Sequence, residues 1–487
     1  MYRTAITSLL NWKNLSASER LPLVIKGARQ VGKTWIMREL GNYFERAIYS
    51  NLEMDIDMRA AFLKDEDIRD PDDILHRIGQ LAGGPLRGDG TELLILDELQ
   101  TVPNGMSRLK YLPEAMPNLH IIAAGSLLGI SWGKHMGYMG EPIGFYDELY
   151  LHPLDFQEFL LAIGEDDMSK ALCECDWETM HKYHEKFLEK MWLYFAVGGM
   201  PRSVSAYISR GIEAVRHSQE LMTTQYANDF AKRMSAYDAR NAIALWNKIQ
   251  TYIGRHDPKA LFGRLRHEQN LPHDEKIHDF VQWFSDAGLI HRLWSISQPK
   301  HGFAGYRVAD EIKAYSLDIG LLGSMLGISI DALVNDKQFQ GNHLGTLAEQ
   351  FVMQELVASG KKQSIGYWRK PLKDPANGKE KPCEIDFLLD DGLEAVPIEV
   401  KSTEEFTSKS LQLYRKAFPD IKHAVRISTK NFGIDGKLWA LPLYATATVS
   451  NFLKQKIMPW NEEKNDIDTK INNDNCEEDD ESFSPSL

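Results

Sequence analysis

Apolar and polar positions along this chain switch between two periods. The run Leu21 to Ile25, "LPLVI", is short and almost unbroken, as in a strand buried on both faces. Residues Lys33 to Phe44 then place apolar side chains at helical spacing. Further strand-like runs follow at "AIYSNLE" (Ala47 to Glu53), "ELLILDELQ" (Glu92 to Gln100), "HIIAAGS" (His120 to Ser126) and "ELYLHPL" (Glu148 to Leu154). Strands alternating with helices predict a parallel, doubly wound α/β sheet over residues 1–154. Between 155 and 240 helical spacing takes over, as in "HEKFLEKMWLYFAVGG", and predicts a helical lid subdomain. Residues 241–325 read as helix, helix and two short strands, a winged-helix pattern. From 326 to 450 the chain reads as an apolar helix and the strand "SIGYWRK". A basic loop follows, then the strands "EIDFLL" and "AVPIEVKS" on either side of Asp390-Asp391-Gly392. Periodicity ends at 451–487, which is expected to be a disordered tail.

Charge sharpens that boundary. Ten acidic residues against two lysines from Asn461 onward give −8 of the total −13, so the folded body carries only −5. The acidity of the whole therefore does not exclude contact with nucleic acid. At 487 residues the chain exceeds one ordinary core, and several domains are expected. No apolar run reaches the ~18–20 residues that span a bilayer, and the N-terminus lacks a secretory pattern. Four cysteines, with a lone C-x-C at Cys173 and Cys175, fit reduced thiols. The expectation is a cytoplasmic protein with no membrane partner.

The chemistry-bearing positions fall at the ends of these elements. Gly27-Ala28-Arg29-Gln30-Val31-Gly32-Lys33-Thr34 is a complete G-x-x-x-x-G-K-T between a strand and a helix. Its backbone N–H groups would wrap phosphates at the helix N-terminus. Lys33 would reach the β/γ-phosphates of ATP and Thr34 would ligate Mg²⁺. Asp97 and Glu98 close an apolar strand, placing one carboxylate for the Mg²⁺ shell and one for the attacking water. Ser126 ends a third strand and is either a small turn residue or, as its likeness to the polar residue there in additional-strand ATPases implies, a sensor of the γ-phosphate. Gly198-Gly199-Met200-Pro201 reads as a helix terminator; it also resembles the G-x-P element of signal-transducing P-loop ATPases, which implies a place beside the adenine with Pro201 as the contact.

In the C-terminal third, period-2 alternation puts Glu384 and Asp386 on one strand face, and Glu399 and Lys401 on one face of the next. Glu349 lies on the preceding helix. Carboxylates such as Glu349, Asp386 and Glu399 can hold Mg²⁺ beside a phosphate, while a lysine such as Lys401 positions the water. Lys370, Lys373, Lys379 and Lys381 are the nearby candidate phosphate contacts. On the winged-helix pattern, Asp274, Glu275, Asp279 and Asp286 outnumber Lys276 and would repel phosphate, which favours a docking role. Arg255, Lys259, Arg264 and Arg266 keep DNA contact open there.

Two resemblances follow from these motifs. "GARQVGKT", "YSNLE", "LLILDELQTVP", "IIAAGSLLG" and "LYLHPLDFQEFL", continued by "FAVGGMPRSV" and "KAYSLDIGLLG", are similar to a prokaryotic family of AAA-type ATPases with a C-terminal domain of unassigned function. Glu349, Asp386, Glu399 and Lys401 resemble the active site of the PD-(D/E)XK nuclease superfamily. Together they imply an α/β protein: an AAA/STAND-like P-loop NTPase sheet, helical lid, winged-helix middle and C-terminal restriction-endonuclease-like domain. The implied function is an ATP-dependent switch controlling a nuclease-fold domain that engages nucleic acid. The alternative is a STAND-like regulatory ATPase whose C-terminal domain is inactive and binds a protein partner. Many relatives carry an arginine before the L-x-P-L-x-F strand; "MGEPIGFYDELYLHPL" has none. That departure argues against a ring-type remodeller, leaves Arg29 and Arg202 as substitute candidates, and leaves the oligomeric state open.

Overall fold

The computed structural model describes residues 1–64, 67–68, 70–103, 105–125, 144–254, 265, 274–334, 343–373, 378, 380–392, 394–401, 409–435 and 438–454. Ser126, the Arg255, Lys259, Arg264 and Arg266 group, and the acidic tail lie outside them. So do the side chains of Lys373, Lys379, Lys381, Asp274 and Glu275.

The N-terminal sheet is built from β1 (Leu23–Lys26), β2 (Arg46–Asn51), β5 (Glu92–Asp97), β6 (His120–Ala124) and β7 (Asp147–Tyr150). A small hairpin, β3 (Leu63–Lys64) and β4 (Asp67–Ile68), lies apart from it. The strand order is β2-β5-β6-β1-β7, with every pair parallel. β1, β5 and β6 are buried along their whole length, which is why they read as unbroken apolar runs. Ile25, Ile95 and Ile122 pack into one core, and Val24, Leu94 and Ile121 into the other.

The C-terminal sheet has eight strands. They are β8 (Ile290–Ile296), β9 (Arg307–Ser316), β10 (Ile365–Lys373), β11 (Glu380–Asp390), β12 (Ala395–Val400), β13 (Ala424–Ser428), β14 (Gly433–Asp435) and β15 (Leu438–Pro442). Their order is β14-β15-β13-β12-β11-β10-β8-β9. The hairpin expected as a wing does form, but β8 runs parallel to β10 through Tyr367 and Ser295. It is the edge of this larger sheet, so the boundary expected at residue 325 crosses a continuous hydrogen-bonded layer.

Helices expected to sit over the P-loop divide between the two sheets. Helix His184–Val197 buries Leu193, Tyr194, Phe195, Ala196 and Val197 in succession, more than one apolar face can use. With Phe156 and Phe159 it packs into one core with Phe351, Phe387 and Val425 of the C-terminal half. Helix Glu213–Arg233 instead places Met222, Tyr226 and Phe230 in the core behind the P-loop. Between these layers lies helix Leu344–Ala358, buried at every position from Thr346 to Val357. Among the described residues no helix is long and apolar enough to cross a membrane.

Candidate functional site

The loop from Gly27 to Thr34 is shaped by three positive φ angles: 155° at Gly27, 67° at Gln30 and 99° at Gly32. Gly27 is required by space as well, since a Cβ there would lie 2.3 Å from Leu151 O. Ala28 and Val31 anchor the loop in the core behind it. Helix Lys33–Gly41 starts at its end, so loop amides and helix N-terminus together form a phosphate cradle. Lys33 is buried, and its Nζ donates to Gly27 O at 3.0 Å and Ala28 O at 2.8 Å. Burial pulls its ammonium down to about 8, against the opposing pull of Glu98 and Asp97.

Thr34 Oγ1 donates to Asp97 Oδ2 at 2.6 Å, which joins the two groups expected to share Mg²⁺. Tyr49 OH donates to the same oxygen at 3.1 Å, with its ring 4.0 Å from the Arg38 guanidinium. Glu98 has a φ of 55°, its N–H donates to Asp97 Oδ1 at 3.0 Å, and its carboxylate accepts from Gln100 Nε2. This donor set suits a nucleotide triphosphate with magnesium: Thr34 and Asp97 would hold the ion, and Lys33 and the loop amides the phosphates. Sequence reading missed Tyr49 and Gln100, although "YSNLE" and "DELQ" contain both.

The loop is gripped from outside the sheet. Arg3 is buried; it donates to Val31 O at 2.8 Å and pairs with Glu158 at 2.9 Å. From helix Glu213–Arg233, Gln225 accepts from Gln30 Nε2 at 2.6 Å and Tyr226 OH donates to Arg29 O at 2.6 Å. Asp229 pairs with Arg29. Of the two substitute arginines, then, Arg29 is held by Asp229 and Arg202 donates to Gln225 at 3.2 Å. Pro201 lies against the phosphate end of the loop, 3.8 Å from a Cβ built on Gly32. The "GGMP" element also terminates helix His184–Val197, as the helix-terminator reading expects. Its tight docking requires glycine: a Cβ on Gly199 would lie 2.0 Å from Leu154 O.

The C-terminal acidic residues do come together. Pairing of Phe387 with Ile398 sets Asp386 beside Glu399 one rung along. Asp386 Oδ2 accepts the Val400 N–H at 2.8 Å, and Lys401 Nζ donates to Glu399 Oε1 at 2.7 Å. Glu349 approaches from helix Leu344–Ala358, and its Oε2 accepts from Tyr315 OH at 3.2 Å. Glu384 departs from the group: it pairs with Lys313 at 2.6 Å and Arg369 at 3.5 Å. Burial, then Glu349 and Glu399, holds the Asp386 carboxyl well above the usual range. Glu399 Oε2 is buried with no hydrogen-bond partner among the described residues. Acceptor capacity therefore remains for a cation, yet among the described residues no three His, Cys, Asp or Glu side chains converge as a metal-ligand group. Of the expected phosphate contacts, Lys370 is spent on Ser297 O at 2.9 Å.

A buried polar network joins the two regions. Phe156 N–H, just past β7, donates to Glu355 Oε1 at 3.0 Å. Gln354 bonds Tyr194 OH at 2.6 Å and the Ile319 N–H at 3.0 Å; Gln350 takes both the N–H and the C=O of Ser316. Asp318 Oδ2 accepts the Gly199 N–H at 2.6 Å.

Residues 19–160 match a family model described as an AAA domain. Residues 188–332 and 344–446 match two separate families, each described as a domain of unknown function. No curated protein matches the chain. A Walker-type ATPase of Pyrococcus abyssi aligns over 67% of this chain and 95% of its own, at 14% identity and a TM-score of 0.40. The ORC2 protein of Aeropyrum pernix aligns over 60% and 88%, at 12% identity and 0.33. AMPPCP-bound DnaA from Aquifex aeolicus aligns over 58% and 86%, at 14% identity and 0.23. The assignment of the N-terminal domain rests on the family match and the loop geometry, not on these distant likenesses.

Proposed function

We propose that the AAA-type P-loop ATPase domain of this chain acts as a switch whose nucleotide state controls a C-terminal nuclease-fold domain acting on nucleic acid. The observation that carries this reading is the double role of helix Leu344–Ala358. Its Glu349 faces the carboxylate cluster, while Glu355, about 9 Å along the axis, bonds to Phe156 within the AAA-matched segment, and Gln354 bonds to Tyr194 and Ile319. Tyr194 in turn donates to Leu154 O, where Gly199 docks. A rigid helix satisfied at both ends cannot shift at one end without disturbing the other.

In the ATPase site the chain's own groups divide the work. Loop amides and Lys33 bind and neutralise phosphate, Asp97 and Thr34 would hold the ion, and Glu98, fixed by Gln100, orients and deprotonates water. A magnesium ion held there would supply charge compensation at the transferred phosphoryl group. In the C-terminal site Glu349, Asp386 and Glu399 would hold a divalent ion, which supplies an activated water, with Lys401 oriented beside it.

The alternative is a regulatory ATPase whose C-terminal domain is inactive and docks a protein; the lysines already paired within the cluster favour it. Supercoiled plasmid incubated with Mg²⁺ or Mn²⁺, with and without ATP, separates the two. ATP-dependent cleavage by the wild type and none by Lys401→Ala is the expected result. Steady ATP turnover with no cleavage under any metal would give the role to the regulatory reading.

A further inference from the structure

Strand β9 reaches the carboxylate cluster from outside the segment that carries its acidic residues. Lys313 is 12% exposed, with Nζ 2.6 Å from Glu384 Oε1 and 5.1 Å from the centre of the Tyr367 ring. It also lies within electrostatic reach of Glu349 and Asp386. Two positions on, and so on the same strand face, Tyr315 OH donates to Glu349 Oε2. Lys401 holds Glu399 Oε1 at 2.7 Å, so the cluster is met by two lysines, one from β9 and one from the end of β12. A lysine removed from water persists only where carboxylates compensate it. Lys313 therefore fills an electrostatic place beside the cluster, where its ion pair is with Glu384, two residues before Asp386 on the same strand face.

We infer that Lys313 is a residue of this site: β9 supplies it as a built-in cation with which a divalent metal ion must compete for Glu349 and Asp386. The inference rests on the proposed metal role of those carboxylates. Two of the proposed ligands are already engaged, Glu399 by Lys401 and Glu349 by Tyr315, while Lys313 holds the neighbouring Glu384.

The same strand leads to the nucleotide loop. β9 ends at Ser316, and Asp318 then accepts the Gly199 N–H at 2.6 Å and the Leu321 N–H at 3.0 Å. Pro201, two residues beyond Gly199, lies against Gly32. Movement of the "GGMP" element on nucleotide binding would therefore act on a segment that carries Lys313 five residues upstream.

Mn²⁺ binding to the full chain, without nucleotide, tests this by electron paramagnetic resonance and calorimetry. Lys313→Met is expected to bind Mn²⁺ at least about tenfold tighter than wild type, since removal of one nearby charge at reduced dielectric exceeds 1.4 kcal/mol. Lys313→Arg should match wild type, and Lys313→Met with Glu399→Gln should lose the gain. Lys313→Gln, which keeps a donor for Glu384, serves if the Met variant does not fold. Equal or weaker binding in both neutral variants overturns the role of Lys313 and leaves the metal reading intact. Absence of Mn²⁺ from wild type and every variant overturns both.

Discussion

Glu355 Oε1 accepts the backbone N–H of Phe156 at 3.0 Å, across 199 residues of chain. This contact fastens the helix of the C-terminal cluster to the strand exit of the ATPase sheet. Glu355→Ala leaves a buried N–H unpaired and should lower stability by about 1–3 kcal/mol. Glu355→Gln keeps an acceptor and should lose much less. Thermal denaturation of the two variants decides; equal losses would mean that packing, not the bond, holds the junction.

Acid groups at the same junction make stability depend on pH. Burial first, and Glu158 next, push the Asp155 carboxyl up to about 7 from 3.8. Burial and Asp155 likewise raise the Glu355 carboxyl well above its usual range. The folded state thus keeps protons that the unfolded chain releases, and this contribution is full below pH 3.8 and lost as pH rises through 7. Asp155→Asn, which still caps helix Phe156–Ala162, should gain on wild type by a few kcal/mol between about pH 4 and 8. Denaturant midpoints across that range give the measurement, and parallel curves would remove Asp155 as the source.

Lys33 offers a pH test of the nucleotide site. With its ammonium at about 8, roughly half the nucleotide-free molecules lack that proton at pH 8. Phosphate binding should restore it, so ATP binding at pH 8 should take up about 0.5 proton. Calorimetry in buffers of different ionisation enthalpy reads this directly. Lys33→Ala should bind no ATP.

Glu98→Gln should keep ATP affinity while lowering turnover by about 10²–10⁴. Gln100→Ala, which removes the amide donor that holds the Glu98 carboxylate, should lower turnover less. Unchanged turnover in Glu98→Gln would move the base to another residue.

Gly199→Ala places a Cβ 2.0 Å from Leu154 O and should cost about 1–3 kcal/mol. Because Gly199 also donates to Asp318, the variant should show altered ATP turnover beyond its change in melting temperature. A purely thermal effect would confine "GGMP" to a structural role.

The sequence by itself determined the parts whose signal is local. A short unbroken apolar run of four to six residues is too brief for a buried helix and fits a strand buried on both faces, and so β1, β5 and β6 were legible. The phosphate loop was legible because its glycines, lysine and threonine must be contiguous to bend one backbone around one phosphate. Period-2 alternation likewise placed Asp386 and Glu399 on neighbouring strands, with Lys401 one residue past the end of the second. Tertiary structure alone decided where surfaces with more than one apolar face would go. Helix His184–Val197 looked like a lid but needed partners on several sides, and found them in the C-terminal core. The β8–β9 hairpin looked like a wing because edge pairing to a strand about 70 residues onward leaves no periodic trace. Lys313, Tyr315 and Asp229 were hidden for the same reason: each is a lone polar residue whose meaning lies in charges brought beside it by distant elements. Coulombic and hydrogen-bond partnership depends on separation in space, which local patterning does not encode.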